Sequence, residues 1–352
     1  MPEEQIANPY KVLTIREIIP ETPTFKTFVF DTREALPYQS GQFLTFVDHN
    51  EREELRRSYS IVSSPAFNEP LAIGVKRVAN GFFSRKLIDR AKVGDPLYTT
   101  GAAGFFKLPE RIDAINQIYF FAAGSGIAPI YSLIKTVLRG HPHIRVRLVY
   151  SSPSLESTAY YHQLSALESQ YRNVFNIHFL FSSIPDLRKA RLNRELMIEL
   201  LAAAKADRSS TFFYTCGPAV YMRMITYQLQ EQGFPSDHIK KEDFNPRHSA
   251  MPKAIPPDTG SHQVVLKMNE HVYRFTVNYP DTILKAAQRA KIFLPYSCET
   301  GKCGSCAMRC LEGKVWLSYN EVLTEKDLSK GLTLTCTGHP VGGDVVITGQ
   351  NG

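Results

Sequence analysis

Between residues 10 and 105, apolar and polar positions alternate in short runs broken by turn residues, over 10–19, 24–31, 42–48, 56–63, 71–78 and 96–100. A period of two over such lengths belongs to half-buried strands, and six in succession predict a small antiparallel β-barrel. At residue 117 the pattern changes. Residues 117–123 form an apolar run, the mark of a strand covered on both faces, and 130–138 carry apolar residues at helical spacing. Strand and helix patterns then alternate through 146–151, 159–171, 177–182, 193–204, 211–215 and 220–231, which predicts a parallel doubly wound α/β sheet. Beyond Phe244, a stretch to 260 holds Pro246, Pro252, Pro256 and Pro257 without periodicity and reads as a linker, semi-rigid near its Pro-Pro pair. Alternation returns at 264–267 and 273–277, a hairpin about Asn269 and Glu270, and Thr282 is placed to cap a helix running to Ala290. Residues 332–336 and 344–348 supply closing strands. The expected organisation is a barrel in 1–110, an α/β domain in 111–244, a linker at 245–260 and a small α+β domain in 261–352.

The last domain carries the sharpest chemical signal. Cys298, Cys303 and Cys306 share one loop, separated by four and two residues, and Cys336 follows after twenty-nine more. This is the C-x4-C-x2-C…C spacing of a plant-type 2Fe-2S site, in which four thiolates converge on two irons. Gly301 and Gly304 let the loop turn back on itself, and Ser297, Thr300 and Ser305 are placed to donate hydrogen bonds toward cluster sulfur. The rival readings are zinc and disulfides. Structural zinc pairs two short C-x2-C-like arms, whereas here three cysteines crowd one loop and the fourth stands alone. Disulfides belong to oxidising compartments, and no secretory signal is visible at the start of the chain. Cys310, four beyond Cys306 in an apolar strand, reads as buried filler.

In the α/β domain the run 117–123 leads into Gly124-Ser125-Gly126-Ile127-Ala128-Pro129. Strand, glycine turn and helix make a mononucleotide-binding entry, with pyrophosphate expected over the turn at the helix N-terminus. Pro129 replaces the third glycine of the usual fingerprint, in a first helical turn where proline is at home. Thr215-Cys216-Gly217-Pro218 closes the last apolar strand at its carboxyl end, where ligands bind in such sheets, so Cys216 reads either as a site residue or as a small buried one. No acid directly follows strand 146–150 to hold a ribose 2'-hydroxyl, while Ser182, Ser183, Arg188, Lys189 and Arg191 cluster after strand 177–182, as a 2'-phosphate requires. NADPH is therefore expected, with NADH the alternative.

Two barrel motifs look chemical. Arg57-Ser58-Tyr59-Ser60 sets a cation, a ring and hydroxyls along one strand, suited to a flat anionic cofactor. Further on, Gly81 breaks a strand and Ser84 enters the first turn of a helix running to about Asp89, whose free amides, with Lys76 and Arg77 nearby, suit phosphate. Each also has an ordinary reading, as a core tyrosine and a helix cap.

Composition changes this picture little. With 352 residues, 43% hydrophobic and 21% charged, the chain is of the soluble globular type with two or three domains. Met1-Pro2-Glu3-Glu4 carries acid where an export signal carries base. The longest uncharged run, 114–134, is interrupted by Asn116, Gln117, Gly124, Ser125, Gly126 and Pro129, so no membrane span is expected and the cytoplasm is the expected location. Of the net charge of +7, about +6 lies ahead of Asp258, since ten Lys and Arg face nine Asp and Glu from there on. That excess suits an anionic dinucleotide, an acidic protein partner or an ordinary solvated surface, and no basic helix interleaved with aromatics points to nucleic acid.

Together these motifs resemble the ferredoxin-NADP reductase superfamily carrying a C-terminal plant-type ferredoxin domain. In layout they are similar to the reductase components of multicomponent oxygenases, especially the phenylacetyl-CoA epoxidase reductase type. The resemblance implies an antiparallel β-barrel flavin domain, a doubly wound nucleotide domain and a β-grasp ferredoxin domain. It implies FAD held by Arg57, Ser58, Tyr59 and Ser60 and by the turn Gly81, Phe82, Phe83 and Ser84 with Lys76; Phe82 stands where the family often has a second glycine. It implies the nucleotide at Gly124, Ser125, Gly126 and Pro129, with Gly217 and Pro218 near the nicotinamide, Ser182 and Arg191 at a 2'-phosphate, and Phe244 closing over the flavin. Ser60, Cys216 and Glu242 are then expected beside the reacting rings, and Cys298, Cys303, Cys306 and Cys336 on the irons. The implied activity is electron transfer from NADPH through FAD and a 2Fe-2S cluster to an oxygenase or desaturase. Direct reduction of ferric chelates or quinones, or a redox-sensing module, are the alternatives.

Overall fold

The computed structural model describes residues 10–32, 36–49, 54–186, 190–244, 254–268 and 271–349. They fall into two compact units, one formed by Tyr10–Ala102 and Phe106–Phe244, the other by the chain beyond Asn245 together with Ala103–Phe105.

The first unit opens with β1 (Lys11–Thr22), β2 (Phe25–Thr32), β3 (Phe43–His49), β4 (Glu54–Ser60), β5 (Ala72–Lys76) and β6 (Pro96–Ala103). They pair in the order β4-β3-β6-β1-β2-β5, and an antiparallel bridge from Ile61 to Ile73 joins the two ends of the sheet. Inward positions alternate as the sequence predicts, with Leu13, Ile15, Phe28, Phe30, Leu44, Phe46, Ile73 and Val75 filling the interior. β1 carries register shifts between Ile15 and Glu17 and between Pro20 and Thr22, and the second accommodates a proline that has no amide to offer the ladder. After β5, α1 (Phe82–Arg85) continues as a π-helical stretch to Arg90, burying Phe83, Leu87 and Ile88 against the barrel.

The same unit continues with β7 (Gln117–Ala123), α2 (Ile127–Gly140), β8 (Arg145–Ser152), α3 (Tyr161–Gln170), β9 (Phe175–Phe181), α4 (Arg194–Ala203), β10 (Thr211–Cys216), α5 (Ala219–Glu231) and β11 (Ile239–Glu242). These strands are parallel, in the order β11-β10-β7-β8-β9. One face of β7 buries Ile118 and Phe120 with Ile130, Leu133 and Ile134 of α2, and the other buries Tyr119 and Phe121 with Met197, Phe213 and Ile225. β11 has no counterpart in the sequence pattern: four residues with two lysines show no periodicity, yet they suit the edge of a sheet. Barrel and sheet are fastened by buried polar contacts. Ser132 donates to the Ser63 carbonyl at 2.6 Å, Lys135 pairs with Glu69, and the Tyr160 and Thr27 hydroxyls meet at 2.8 Å.

The second unit holds β12 (His262–Met268), β13 (His271–Val277), α6 (Ile283–Arg289), β14 (Ala307–Glu312), β15 (Val315–Leu317), α7 (Glu325–Ser329), β16 (Leu332–Leu334), β17 (Gly338–Pro340) and β18 (Val345–Thr348). Its main sheet runs β13-β12-β18-β14-β16, with β18 parallel to β12 and antiparallel to β14. β12 and β13 pair as a hairpin, while its turn at Asn269 and Glu270 lies outside the described residues. The Thr282 hydroxyl accepts the Lys285 amide at 3.3 Å, so the expected cap forms, and α6 buries Ile283, Leu284, Ala286 and Ala287 under the sheet. Of the linker, 245–253 lies outside the described residues. Its end is pinned to this unit by Asp258, which accepts from the Gly342 amide at 2.7 Å and meets His262 Nε2 at 2.8 Å. Cys310 is half-buried rather than buried, because its thiol donates to the Glu312 carbonyl at 3.3 Å at the end of β14.

Candidate functional site

The order of the parallel sheet reverses between β7 and β10, and at such a switch point the carboxyl ends of neighbouring strands part to leave a crevice. Register places Ala122, Cys216 and Glu242 side by side on β7, β10 and β11. The glycine turn packs directly on this edge. A side-chain carbon on Gly126 would stand 2.0 Å from the Cys216 carbonyl oxygen, and one on Gly217 would stand 2.8 Å from Ala123 Cβ. Pro129 lies buried in the first turn of α2, as its fixed φ allows. Buried Tyr150 and half-buried Tyr221 brace the turn from below: Tyr150 donates to the Gly124 carbonyl at 3.2 Å and Tyr221 to the Ala122 carbonyl at 3.3 Å. Neither was visible as a site residue in the sequence, since a tyrosine in a strand or helix reads as core.

Above Gly124, whose φ is +55°, the Lys76 Nζ lies 3.7 Å from where a side-chain carbon would sit, and no other non-neighbouring atom is that near among the described residues. The lysine expected at the flavin phosphates therefore reaches from β5 to the nucleotide turn. A glycine turn open on one side and faced by an ammonium fits a dinucleotide's pyrophosphate. Ser182 and Arg191 are exposed at the carboxyl edge after β9, and Arg188 and Lys189 lie outside the described residues.

Burial pushes the Cys216 thiol well above its usual range and, with the adjacent Asp243 charge, raises the Glu242 carboxyl to about 8. Both groups are thus protonated at neutral pH, an uncharged thiol and a carboxylic acid able to donate. The sign of the linkage follows. In the unfolded chain Glu242 ionises near 4.5, whereas the folded chain resists until about 8, so stability is full below the first value and declines across that window. Glu242→Gln, neutral throughout, is expected to escape the decline, with its Tm gaining on the parent's from pH 5 to pH 9. An unchanged gap would contradict this environment for Glu242.

On the barrel, Arg57 and Ser58 are exposed on β4, Tyr59 is half-buried and Ser60 is buried. Phe46 and Phe83 support the Tyr59 ring with centroids 6.2 and 6.0 Å away. Phe83 is itself core, while Phe82 is 58% exposed. The Ser84 hydroxyl is committed within its own turn, accepting from the Val78 amide at 3.1 Å and donating to the Gly81 carbonyl at 3.3 Å. A side-chain carbon on Gly81 would lie 2.5 Å from that oxygen, so glycine is needed there for packing. A surface ring held by other rings, with an exposed guanidinium two residues away, fits a stacked flavin nucleotide. Phe244 is exposed at the end of this unit.

In the second unit the cysteine loop winds between α6 and β14 through three residues in the left-handed region, Glu299, Gly301 and Gly304. A side-chain carbon on Gly301 would meet the Tyr319 carbonyl oxygen at 2.6 Å, so only glycine passes there. The four thiols meet in two pairs, Cys298 with Cys303 and Cys306 with Cys336. Donation from the Cys303 thiol, with help from Thr300 and the Lys302 amide, holds the Cys298 thiol below its usual range, and the shared proton raises Cys303. Amides of Thr300 and Ser305 point at Cys298 and Cys303 sulfur at 3.4 and 3.5 Å, and the Ser305 hydroxyl lies 3.5 Å from Cys303 Sγ. The two thiol pairs fit the four thiolates that a 2Fe-2S centre requires.

A barrel with a flavin motif, a doubly wound sheet with a nucleotide crevice and a four-cysteine unit define a flavin- and nucleotide-binding reductase with an iron-sulfur module. The comparisons agree. The model of the oxidoreductase FAD-binding domain matches residues 9–108, that of the oxidoreductase NAD-binding domain 120–227, and that of the 2Fe-2S iron-sulfur cluster binding domain 267–341. The ferredoxin reductase component of 3-ketosteroid-9-alpha-monooxygenase from Mycobacterium tuberculosis is 30% identical over 363 residues, covering 98% of each chain. One of the subunits of 1,2-phenylacetyl-CoA epoxidase from Escherichia coli is 29% identical, covering 95% of this chain and 96% of the relative. The solved phthalate dioxygenase reductase shares the fold with a TM-score of 0.59 at 22% identity, covering 96% of this chain and 98% of its own. The chain belongs to the ferredoxin-NADP reductase superfamily, among the oxygenase reductase components with a C-terminal 2Fe-2S domain. It is an NAD(P)H-dependent oxidoreductase whose cofactors are FAD and a 2Fe-2S cluster. No helix among the described residues is long and apolar enough to cross a membrane.

Proposed function

We propose that this protein draws electrons from NADPH and delivers them singly to a partner oxygenase or desaturase in the cytoplasm, with Cys298, Cys303, Cys306 and Cys336 as the cluster ligands. The observation that carries this reading is the two-and-two pairing of those thiols in a chain that also holds flavin and nucleotide modules. When bound, the nicotinamide supplies a hydride, the flavin takes the pair and parts with it in two steps, and the cluster passes one electron at a time. The chain's residues position these groups. Arg57 and Tyr59 hold and stack the flavin, and buried Ser60 offers a hydroxyl at its edge. Gly124 and Gly126 admit the pyrophosphate to the backbone. Neutral Cys216 and protonated Glu242 would stand beside the nicotinamide, the carboxylic acid there as a hydrogen-bond donor. The lack of an acid directly after β8, with Ser182 and Arg191 after β9, supports NADPH over NADH.

The position of Lys76 adds a prediction. Lys76→Met removes the ammonium over Gly124 and is expected to raise KM for the nucleotide about tenfold, the worth of one charge-assisted contact, with flavin content unchanged. Flavin loss with an unaltered KM would return this lysine to the flavin phosphates.

The whole reading is tested by anaerobic titration of the purified protein with NADPH and, separately, NADH, following flavin and cluster absorbance. Bleaching of both chromophores at lower NADPH than NADH is expected. Colourless, iron-free protein would overturn the proposal. Full turnover of ferric chelates or quinones after loss of the cluster would make the protein partner unnecessary.

A further inference from the structure

Cys336 is flanked by two threonines that the structure treats differently. Thr335 is fully buried and its hydroxyl donates to the Cys306 carbonyl at 3.2 Å, tying the two cysteines' strands together. Thr337 is 6% exposed, and its hydroxyl has no hydrogen-bond partner among the described residues. Its other polar atom is satisfied, because the Thr337 carbonyl accepts from the Ser318 amide at 2.9 Å and from the Ser318 hydroxyl at 3.2 Å. A buried hydroxyl without a partner is a net cost that native structures rarely leave standing.

The location of this hydroxyl narrows what could satisfy it. The Thr337 methyl lies 3.3 Å from where a side-chain carbon on Gly301 would sit, so the side chain rests against the cysteine loop between Cys298 and Cys303. Thr333 also has an unpaired buried hydroxyl, but it lies in β16 opposite Met308, three residues short of Cys336. Thr300, within the loop, has an unpartnered buried hydroxyl as well, and Thr337 adds one that is adjacent to Cys336 and rests against the loop from outside it.

We propose that the Thr337 hydroxyl is a positioning donor to cluster sulfur that sets the reduction potential of the 2Fe-2S centre. This rests on the reading of the four cysteines as its ligands. Reduction adds one negative charge to the centre, and a fixed O–H dipole aimed at its sulfur stabilises that charge more than the oxidised state, so the hydroxyl raises the potential. The serine and threonine hydroxyls expected from the sequence, at Ser297, Thr300 and Ser305, all precede or lie within the loop, and Thr337 adds a donor from the far side of the chain.

The test uses the full-length holoprotein and an EPR-monitored potentiometric titration of the cluster in the parent and in Thr337→Val, Thr337→Ser and Thr337→Ala. Valine keeps the shape and removes the donor. At the potential where the parent is half reduced, the Val variant is expected to show a reduced-to-oxidised ratio about tenfold lower, a downward shift of about 59 mV for one electron. Serine keeps the donor and is expected to titrate with the parent. Iron-replete Val protein titrating with the parent would overturn the proposal, as would a serine variant shifted as far as valine, since packing would then be the cause. If the Val variant cannot hold iron, alanine against serine decides by the same criterion. Parent protein without iron would fail the ligand reading itself, whereas iron-replete variants of equal potential would fail only the role given to Thr337.

Discussion

Gly126→Ala is expected to slow flavin reduction by the nucleotide about a hundredfold while leaving flavin and iron content intact. The added methyl would need to occupy a point 2.0 Å from the Cys216 carbonyl oxygen and 2.9 Å from the Gly217 amide nitrogen, both backbone atoms at the end of a central strand. No rotamer change relieves such a clash, so the glycine turn and the Cys216 strand end must separate. They form the two walls of the crevice, and displacement of reacting groups by about 1 Å is enough to cost about a hundredfold in rate. Gly124→Ala makes the control. Gly124 has φ of +55° with only Lys76 Nζ near it, at 3.7 Å, so alanine there costs about 1 kcal/mol of backbone strain and weakens nucleotide binding, while the Cys216 strand end stays in place and the rate at saturating nucleotide is kept. Stopped-flow reduction under anaerobic conditions separates them. Comparable rates for Gly126→Ala and the parent would remove Gly126 from the nucleotide site.

Cys303→Ser is expected to abolish the cluster signal and electron delivery to a one-electron protein acceptor, with flavin bleaching by NADPH preserved. Serine replaces the thiol that donates to Cys298 and breaks one of the two pairs, leaving one iron short of a sulfur ligand. The flavin and nucleotide modules belong to the other compact unit and contain no part of this loop. Cys310→Ser should keep full iron content, because the Cys310 thiol is engaged with the Glu312 carbonyl outside both pairs. Metal analysis with visible and EPR spectra reads both variants. A Cys303→Ser protein that retained a normal cluster would remove this cysteine from the ligand set.

The parts legible in the sequence were those where spacing or period carries the physics. The cysteine intervals survive as a loop in which thiols meet two by two, and the alternation of 10–100 and the runs after 117 become the barrel and the parallel sheet. Contacts set by register were hidden. Nothing in Ile239-Lys240-Lys241-Glu242 announces a strand, yet pairing with β10 is what carries Glu242 to the side of Cys216. Lys76 read as a flavin-phosphate ligand because it precedes Gly81 by five residues, but the barrel is seated so that its amine faces the nucleotide turn. Ser84 read as part of a helix start suited to phosphate, and the contacts of its hydroxyl with the Val78 amide and the Gly81 carbonyl carried no signal in the sequence. Tyr150 and Tyr221 support the glycine turn through single carbonyl contacts that no periodicity encodes.

The main sheet of the cysteine-bearing unit places β18 between β12 and β14. That strand leaves the ribosome after every other strand of its sheet, so until it emerges β12 and β14, the latter directly after the cysteine loop, lack the strand that joins them. The barrel and nucleotide sheet, encoded upstream, need no such wait. Flavin uptake is thus open to the chain before β18 is made, whereas an ordered sheet beside the cysteine loop is expected only once β18 has joined β12 and β14.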